Sequence, residues 1–531
     1  MSDSSPAAPS FLPLVLRGSV LALISAAFGW LVWQQAKMGF ASGCVVGGAI
    51  FGIGLFALMK LADAPRGLWV TLGLKMVIVT AYKLLTIALT TWAMKDLGLG
   101  SSQAQWVFSA WGMCFTLATL VSGSLTDAIG MRRTLLLGVS LAVVCRLVMF
   151  ASTNAWVALA CGMVPAAIAE AFCTPVLVAA TRKFTAPEQR SVAFSIFYAI
   201  MNTGFLVGYF FHDAVFSPGV LPLNDAGMVS VMGMQLSRER VLIFVSLAVE
   251  ILILPLLLLL RGDTNETGTV QTSELGQGML MRGVATVQNA ARDTGRQLAL
   301  LVRQPRFGRL LVFLAMIGLL KIVFGTMDSV LPTFAEREIG ADGRACVGRM
   351  NSVNSVLILV LAPLIGVITR KRAAYSMVIL GGFVTAASFV FMALPGSMFT
   401  GFANGWLGDA IGHGYLGLKD VVHPYIVMIV LWQVAFSIGE AIYSPRVYEY
   451  AASMAPKGQE ASFASLSYVP LLMGKFATGA LFGGLLEHYC PPVGARDPGG
   501  MWMIVGGLVL MAPLLLLVLR PFIRMKEEGK E

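Results

Sequence analysis

The chain has 531 residues, of which 57% are hydrophobic and only 12% charged, with a formal net charge of +10. Soluble proteins run at about 45–50% apolar and about 25% charged, so a water-soluble domain is excluded and the bilayer must be the solvent for most of the chain. The 38 Lys and Arg form no patch but gather in predicted loops on one side of the membrane, which argues against a nucleic-acid partner.

In chain order, residues 1–10 are polar and lack a basic n-region, so a cleaved signal peptide is not expected. Two apolar segments follow, 12–34 and 38–60, and read as an added transmembrane hairpin. Arg17 lies near one end of the first, where it can snorkel to the headgroups. Six spans come next, at 68–94, 103–125, 132–152, 155–181, 191–212 and 240–260. A second six lie at 309–333, 350–369, 373–394, 424–445, 461–485 and 500–522. Each is close to the roughly 20 residues that cross a bilayer. The fold expected is an all-α integral membrane protein of 14 spans. Its units are a tail and hairpin (1–67), a first six-helix half (68–261), a cytoplasmic linker (262–308) and a second half (309–531).

Between the second and third spans of the first half lies G-S-L-T-D-A-I-G-M-R-R at 123–133. Its Gly123, Asp127, Gly130, Arg132 and Arg133 resemble the signature cytoplasmic loop of the major facilitator superfamily of secondary transporters. That resemblance implies two six-helix halves and a conformational switch at this loop. Asp127 is then expected to cap or salt-bridge helix ends, with Arg132, Arg133, Arg182 or Arg190 as partner.

The predicted inner loops and C-terminus hold 23 of the 38 basic residues and the outer loops nine, so both termini are expected in the cytoplasm. Linker 262–308 is polar at first, then amphipathic and basic, as a helix lying on the inner leaflet would be. The Asn265 sequon faces the cytoplasm on this topology and should be inert. The Gly-rich outer segment 395–423 reads as a mobile flap or a plain loop. Of seven cysteines, five lie in spans as packing residues. Cys346 and Cys490 fall in predicted outer loops, where free thiols and a disulfide both stay open. No CxxC or ligand spacing suggests a metal or a cofactor.

Nine ionisable residues fall inside spans: Lys75, Lys83, Arg146, Glu170, Glu250, Lys321, Asp328, Glu440 and Lys475. Each costs about 2.5–3.5 kcal/mol at a span centre on insertion scales, so such residues face polar cavities or pair with one another. In the superfamily the first, fourth, seventh and tenth core helices line the cavity, and six of the nine lie there: Lys75, Lys83, Glu170, Lys321, Asp328 and Glu440. A substrate or ion pathway and buried ion pairs that hold register are the two readings. Glu250 and Lys475 read as lying toward span ends, where structural or interfacial roles compete. Asn202, Asn351 and Asn354 add polar groups that serve as ligands or as helix–helix hydrogen bonds.

Three stretches resemble the proton-coupled oligopeptide transporters. F-S-I-F-Y-A-I-M-N-T-G at 194–204 is similar to that family's fifth-helix signature. N-S-V-L-I-L-V-L-A-P-L-I-G at 354–366 resembles its eighth helix, with Ser355 in place of a proline. Gly439-Glu440 with Ser444-Pro445 and A-P-K-G at 455–458 looks like its tenth-to-eleventh-helix region. There a membrane-embedded glutamate serves binding and coupling, and Glu440 matches it. The chain also departs from the pattern. Lys75, Ile78 and Val79 stand where the family's E-x-x-E-R lies, and Thr174-Pro175 replaces its Lys-Pro. Lys83 or Lys321 could substitute for the missing lysine.

The function expected is alternating-access secondary transport of a small polar solute. Glu440 is the proton-coupling candidate; Lys75, Lys83, Glu170, Lys321, Asp328 and Asn354 are the cavity candidates. Protons and a small molecule are the partners, and the protein is expected to be a monomer in the plasma (inner) membrane. An uncoupled facilitator, an exporter of another solute class and a non-transporting sensor are the alternatives. An enzyme is not expected. His212, His413, His423 and His488 are isolated at predicted outer ends, and no phosphate-binding G-x-x-x-x-G-K-[ST] loop is present. His212-Asp213 reads as a solvated pair, or else as a sensor of external pH.

Overall fold

A computed structural model of the chain describes residues 11–35, 40–61, 63–185, 190–225, 227–231, 233–260, 292, 305–369, 371–453 and 469–524. The Asn265 sequon and nearly all of linker 262–308 lie outside them. The helices are α1 (Phe11–Trp30), α2 (Phe40–Lys60), α3 (Arg66–Lys95), α4 (Ser101–Ile129), α5 (Met131–Ala151), α6 (Ala155–Lys183), α7 (Arg190–Phe216) and α8 (Arg238–Leu258). The second set is α9 (Gly308–Glu338), α10 (Ala341–Ile368), α11 (Ala374–Ala393), α12 (Pro424–Ser453), α13 (Val469–Tyr489) and α14 (Pro498–Val518). Eleven helices among the described residues are long and apolar enough to cross a membrane.

The architecture is helical, with one departure from the all-α expectation. Strands β1 (Val229–Val231) and β2 (Met234–Leu236) pair antiparallel between α7 and α8, with Ser230 opposite Gln235. Short helical turns also occupy 396–403 and 406–415, within the segment read as a mobile flap or a plain loop. The hydrophobic effect offers no drive between helices in lipid, and close packing has to supply it. Small residues make that packing. A Cβ on Gly47 would sit 2.8 Å from the Ser25 carbonyl oxygen, so α1 and α2 touch backbone to backbone. The hairpin then lays Val32, Val46 and Ile50 on Leu206, Val207 and Phe210 of α7.

The first set (α3–α8) meets the second (α9–α14) along two seams, α4 on α13 and α7 on α10. At the second seam a Cβ on Gly348 would collide with the Tyr209 carbonyl oxygen. Gly340 turns the chain between α9 and α10 at φ +88°, a conformation open to glycine and strained for other residues. Helix α10 therefore starts at Ala341, nine residues earlier than expected. That places Cys346 inside a buried helix and not in an outer loop. Cys346 and Cys490 are both buried free thiols.

Candidate functional site

The central layer begins at a π turn, Thr326–Val330, inside α9. Such turns loosen the regular hydrogen-bond ladder and recur at functional sites. Here the Met327 carbonyl accepts from Asn351 Nδ2 at 2.9 Å. The Ser329 carbonyl accepts from Gln105 Nε2 at 3.0 Å and Thr90 Oγ1 at 3.3 Å. Both donors to Ser329 belong to the first set. Within the turn Asp328 takes two hydrogen bonds from Lys83 Nζ, at 2.9 and 3.0 Å, and one from the Tyr209 hydroxyl at 3.3 Å. Lys83 also lies 4.5 Å from the Phe205 ring centroid. The pair is buried and joins the two sets. Removing one partner of such a pair costs about 3–5 kcal/mol, because the other charge is stranded.

Glu440 sits on α12 beside Gly439, where α12 and α11 pack through Gly381 and Thr385. Its Oε2 accepts from Asn354 Nδ2 at 2.8 Å. Asn354 also reaches Ser437 Oγ at 3.1 Å, and Ser437 donates to the Gln433 carbonyl at 2.6 Å. Gln433 Nε2 donates to Asn351 Oδ1 at 2.8 Å. A polar chain therefore runs from Glu440 along α12 to Asn351, and so to the π turn that holds Asp328. Lys321 faces Glu440 through space, but among the described residues its Nζ bonds Ser444 Oγ, at 3.5 Å, and lies over the Phe324 ring at 4.6 Å.

Two other lysines rest on aromatic faces, with no carboxylate in direct contact among the described residues: Lys75 over Phe197 at 4.8 Å and Lys475 over Phe108 at 3.9 Å. A ring face supplies roughly 2 kcal/mol to a desolvated cation. Burying an ammonium costs several kcal/mol, so the rings alone do not balance that burial.

Glu170 is placed elsewhere than the central layer. It accepts from Arg146, which also lies 3.4 Å from Glu250 and donates to Ser246 at 2.9 Å. The cluster is wholly buried inside the first set, among α5, α6 and α8, so Glu250 is an interior partner and not a span-end residue. Lys475 is likewise buried, at the α4–α13 seam. Asn202 bonds back to the Tyr198 carbonyl of its own helix at 3.0 Å. In the loop, Gly130 turns the chain at φ +88° and Thr134 Oγ1 reaches its carbonyl at 3.0 Å. Arg132 and Arg133 are exposed. The surroundings of Gly123 and the Asp127 side chain lie outside the described residues.

The end of the bundle expected to be external is tied shut across the boundary between the two sets. Asp213 on α7 accepts from the Gly348 and Arg349 backbone N–H groups at 2.7 Å each and from Arg349 Nε at 2.9 Å. His212 Nδ1 lies 2.9 Å from Asp213 Oδ1, the oxygen that also accepts from Gly348, and both residues are fully buried. The solvated pair expected from the sequence is therefore corrected to a buried latch. Arg344 of α10 contacts Glu239 at 3.2 Å and Thr91 at 2.9 Å. Lys95 bridges Glu239 at 3.3 Å and Glu336 at 2.5 Å. Close by, Asp96 accepts from Arg240 at 2.8 Å and Ser237 at 2.7 Å, yet burial pushes its carboxyl above the ordinary value.

The Major Facilitator Superfamily description matches residues 71–412. The chain belongs to that superfamily. It is a family of transporters and not of enzymes, so this is an integral, multi-pass membrane transport protein. No curated protein matches the chain. Among solved structures, it is similar to a peptide transporter POT in complex with sulfate, with TM-score 0.63 and 17% identity over 86% of this chain and 95% of that one. A POT family transporter in complex with 5-aminolevulinic acid gives TM-score 0.62 and 19% identity over 87% and 97%. A bacterial homologue of the human drug peptide transporters PepT1 and PepT2 gives 0.61 and 16% over 86% and 98%. At these identities the likeness is one of fold.

Proposed function

We propose that the protein is a proton-coupled secondary transporter of a small polar, peptide-like solute, in which Glu440 loads and releases the proton. The two six-helix halves, 68–261 and 309–531, rock about a midplane site. The hairpin in 1–67 completes 14 spans, with linker 262–308 and both termini in the cytoplasm of a plasma (inner) membrane. The protein acts as a monomer.

The observation that supports this reading best is the contact of buried Glu440 with Asn354, 2.8 Å long. An amide that both donates and accepts suits the carboxyl in either protonation state. Reconstituted into liposomes, the wild type should accumulate solute when a pH gradient is applied. Glu440→Gln should lose that accumulation and keep counterflow, because the amide holds shape without exchanging a proton. Unchanged pH-driven uptake by a folded Glu440→Gln protein would falsify the coupling role.

An uncoupled facilitator is the second reading. It is favoured by Lys75, Ile78 and Val79, all buried, at the positions where the resembled family carries titratable carboxylates. Export of another solute class and a non-transporting sensor remain for the same flux measurement to decide. For the loop, Asp127→Asn should slow transport while leaving the protein folded and inserted.

A further inference from the structure

We propose that the added hairpin, α1 and α2, is a clasp for the arrangement closed at the outer end. It rides on the first half and holds the second through Ser42, and that hold is released each time the outer end opens. The clasp goes beyond the solute and coupling readings above and rests on their rocking of the two halves.

The hairpin is built to move as one body. A Cβ on Gly43 would come 2.5 Å from the Gly29 carbonyl oxygen, and one on Gly47 would come 2.8 Å from that of Ser25. The two backbones therefore touch over a full turn, and close packing of this kind is what holds helices together in lipid. Val32, Val46 and Ile50 of the hairpin lie on Leu206, Val207 and Phe210 of α7, in the first set. Val356 of α10, in the second set, packs on the same apolar patch. The hairpin thus straddles the α7–α10 seam.

A hydroxyl within a span can bond back to its own helix, as Ser25 does to the Leu21 carbonyl at 2.8 Å. Ser42, fully buried in the first turn of α2, instead donates to the Tyr415 carbonyl in the outer segment ahead of α12. Tyr415 is itself fixed to α10. Its hydroxyl lies 2.6 Å from Ser352 Oγ and donates to the Arg349 carbonyl at 3.2 Å. Arg349 in turn makes the latch to Asp213 of α7. These contacts close into a ring, from α2 through Tyr415 and Arg349 to α7, and back to α2 through the apolar patch.

Parting α7 from α10 at this end breaks the ring at the latch and also at one of the hairpin's two attachments. The patch on α7 is the larger attachment, so the hairpin stays with the first half and leaves Tyr415 and Val356. A bond made in one arrangement alone favours that arrangement by its own free energy. For an interhelical hydrogen bond in lipid this amounts to a shift of about threefold to tenfold.

The test is labelling of a Thr91→Cys reporter by a water-soluble maleimide in the full chain in lipid nanodiscs, with the melting temperature recorded for every variant. Ser42→Ala should raise the rate by about threefold or more. Ser25→Ala, whose hydroxyl stays within α1, should leave it unchanged. A second measurement fixes which half the hairpin follows. Spin labels are placed at Gln34→Cys with Asp225→Cys, and at Gln34→Cys with Asp420→Cys, all three positions being exposed. Cys44→Ala, Cys114→Ala and Cys161→Ala remove the native thiols that are at least partly exposed. Opening the end with Asp213→Asn should widen the distance from 34 to 420 and leave that from 34 to 225 in place. A rise in labelling with Asp213→Asn but none with Ser42→Ala overturns the clasp and leaves the rocking standing. So does an equal rise with Ser25→Ala, or a hairpin that parts from 225 and keeps to 420. No rise with either Asp213→Asn or Ser42→Ala removes the rocking reading, and the clasp with it.

Discussion

Lys83 Nζ and the Asp328 carboxylate meet at 2.9 Å across the boundary between the two helical sets, buried and with Tyr209 as the third member. An ion pair in that position holds the sets together for as long as both charges persist. Lys83→Met and Asp328→Leu should each lower stability by about 3–5 kcal/mol, since the remaining charge is stranded. The double variant should recover most of that loss. Thermal melts of all four proteins form the cycle, and purely additive losses would show that the two charges do not act as a pair.

The Asp213–Arg349 latch predicts a gating effect. Asp213→Asn weakens the tie between α7 and α10, and Gly348→Val forces those backbones apart. Either change should raise labelling of a Thr91→Cys reporter by a membrane-impermeant maleimide. A rise on the order of tenfold corresponds to ~1.4 kcal/mol lost from the closed state. Labelling at the unmodified rate would mean that the latch does not hold this end shut.

Asn354 is the donor to Glu440, so Asn354→Leu leaves a buried carboxyl oxygen without its hydrogen bond. Stability should fall by about 1–3 kcal/mol. Adding Glu440→Leu should return part of it, because the orphaned oxygen goes with the carboxyl, while Lys321 loses the charge it faces. Chemical or thermal unfolding of the two variants decides, and no recovery in the double variant would break the proposed pairing.

His423, just before α12, is held below the ordinary imidazole value by burial. The folded chain therefore resists its protonation more than the unfolded chain does. Its contribution is complete above about pH 6.5, the unfolded value, and declines as pH falls toward the lower folded value. The melting temperature of His423→Gln should fall less steeply than that of the wild type below pH 6.5. Parallel curves would count against a neutral, half-buried imidazole.

The core spans were legible because transmembrane helices announce themselves by length and apolarity, and the 123–133 loop resembled the superfamily whose description matches residues 71–412. Helix ends were not. Arg344 and Arg349 were counted as outer-loop cations because a run containing Arg, Cys and Arg has no apolar signal. The structure puts both inside α10, and Gly340 with Gly343 was the cue that the helix begins there. Glu440 and Asn354 were read as members of one polar region and meet directly. Glu170 was read as a cavity residue, yet Arg146 takes its charge inside the first set; which partner a buried charge finds depends on helix rotation, which hydropathy does not encode. The isolated look of His212-Asp213 in the sequence hid four contacts that come from α10 or from the pair itself.

The π turn at Thr326–Val330 carries one residue more than the α turn it replaces, and this fixes an angular phase. In an α-helix each residue advances by about 100°, so everything beyond the turn is rotated by about that much relative to an uninterrupted α9. Asp328 and the pair Glu336 and Arg337 can face the first set together only with that offset in place. Regularising the turn to α-helix with no residue removed would leave a straighter helix of unaltered polarity. It would also swing Glu336 away from Lys95 and Arg337 away from Ser101 while Lys83 and Asp328 could still meet. The centre of the protein and its sealed end would then be geared out of step by a change that no composition or hydropathy profile would register.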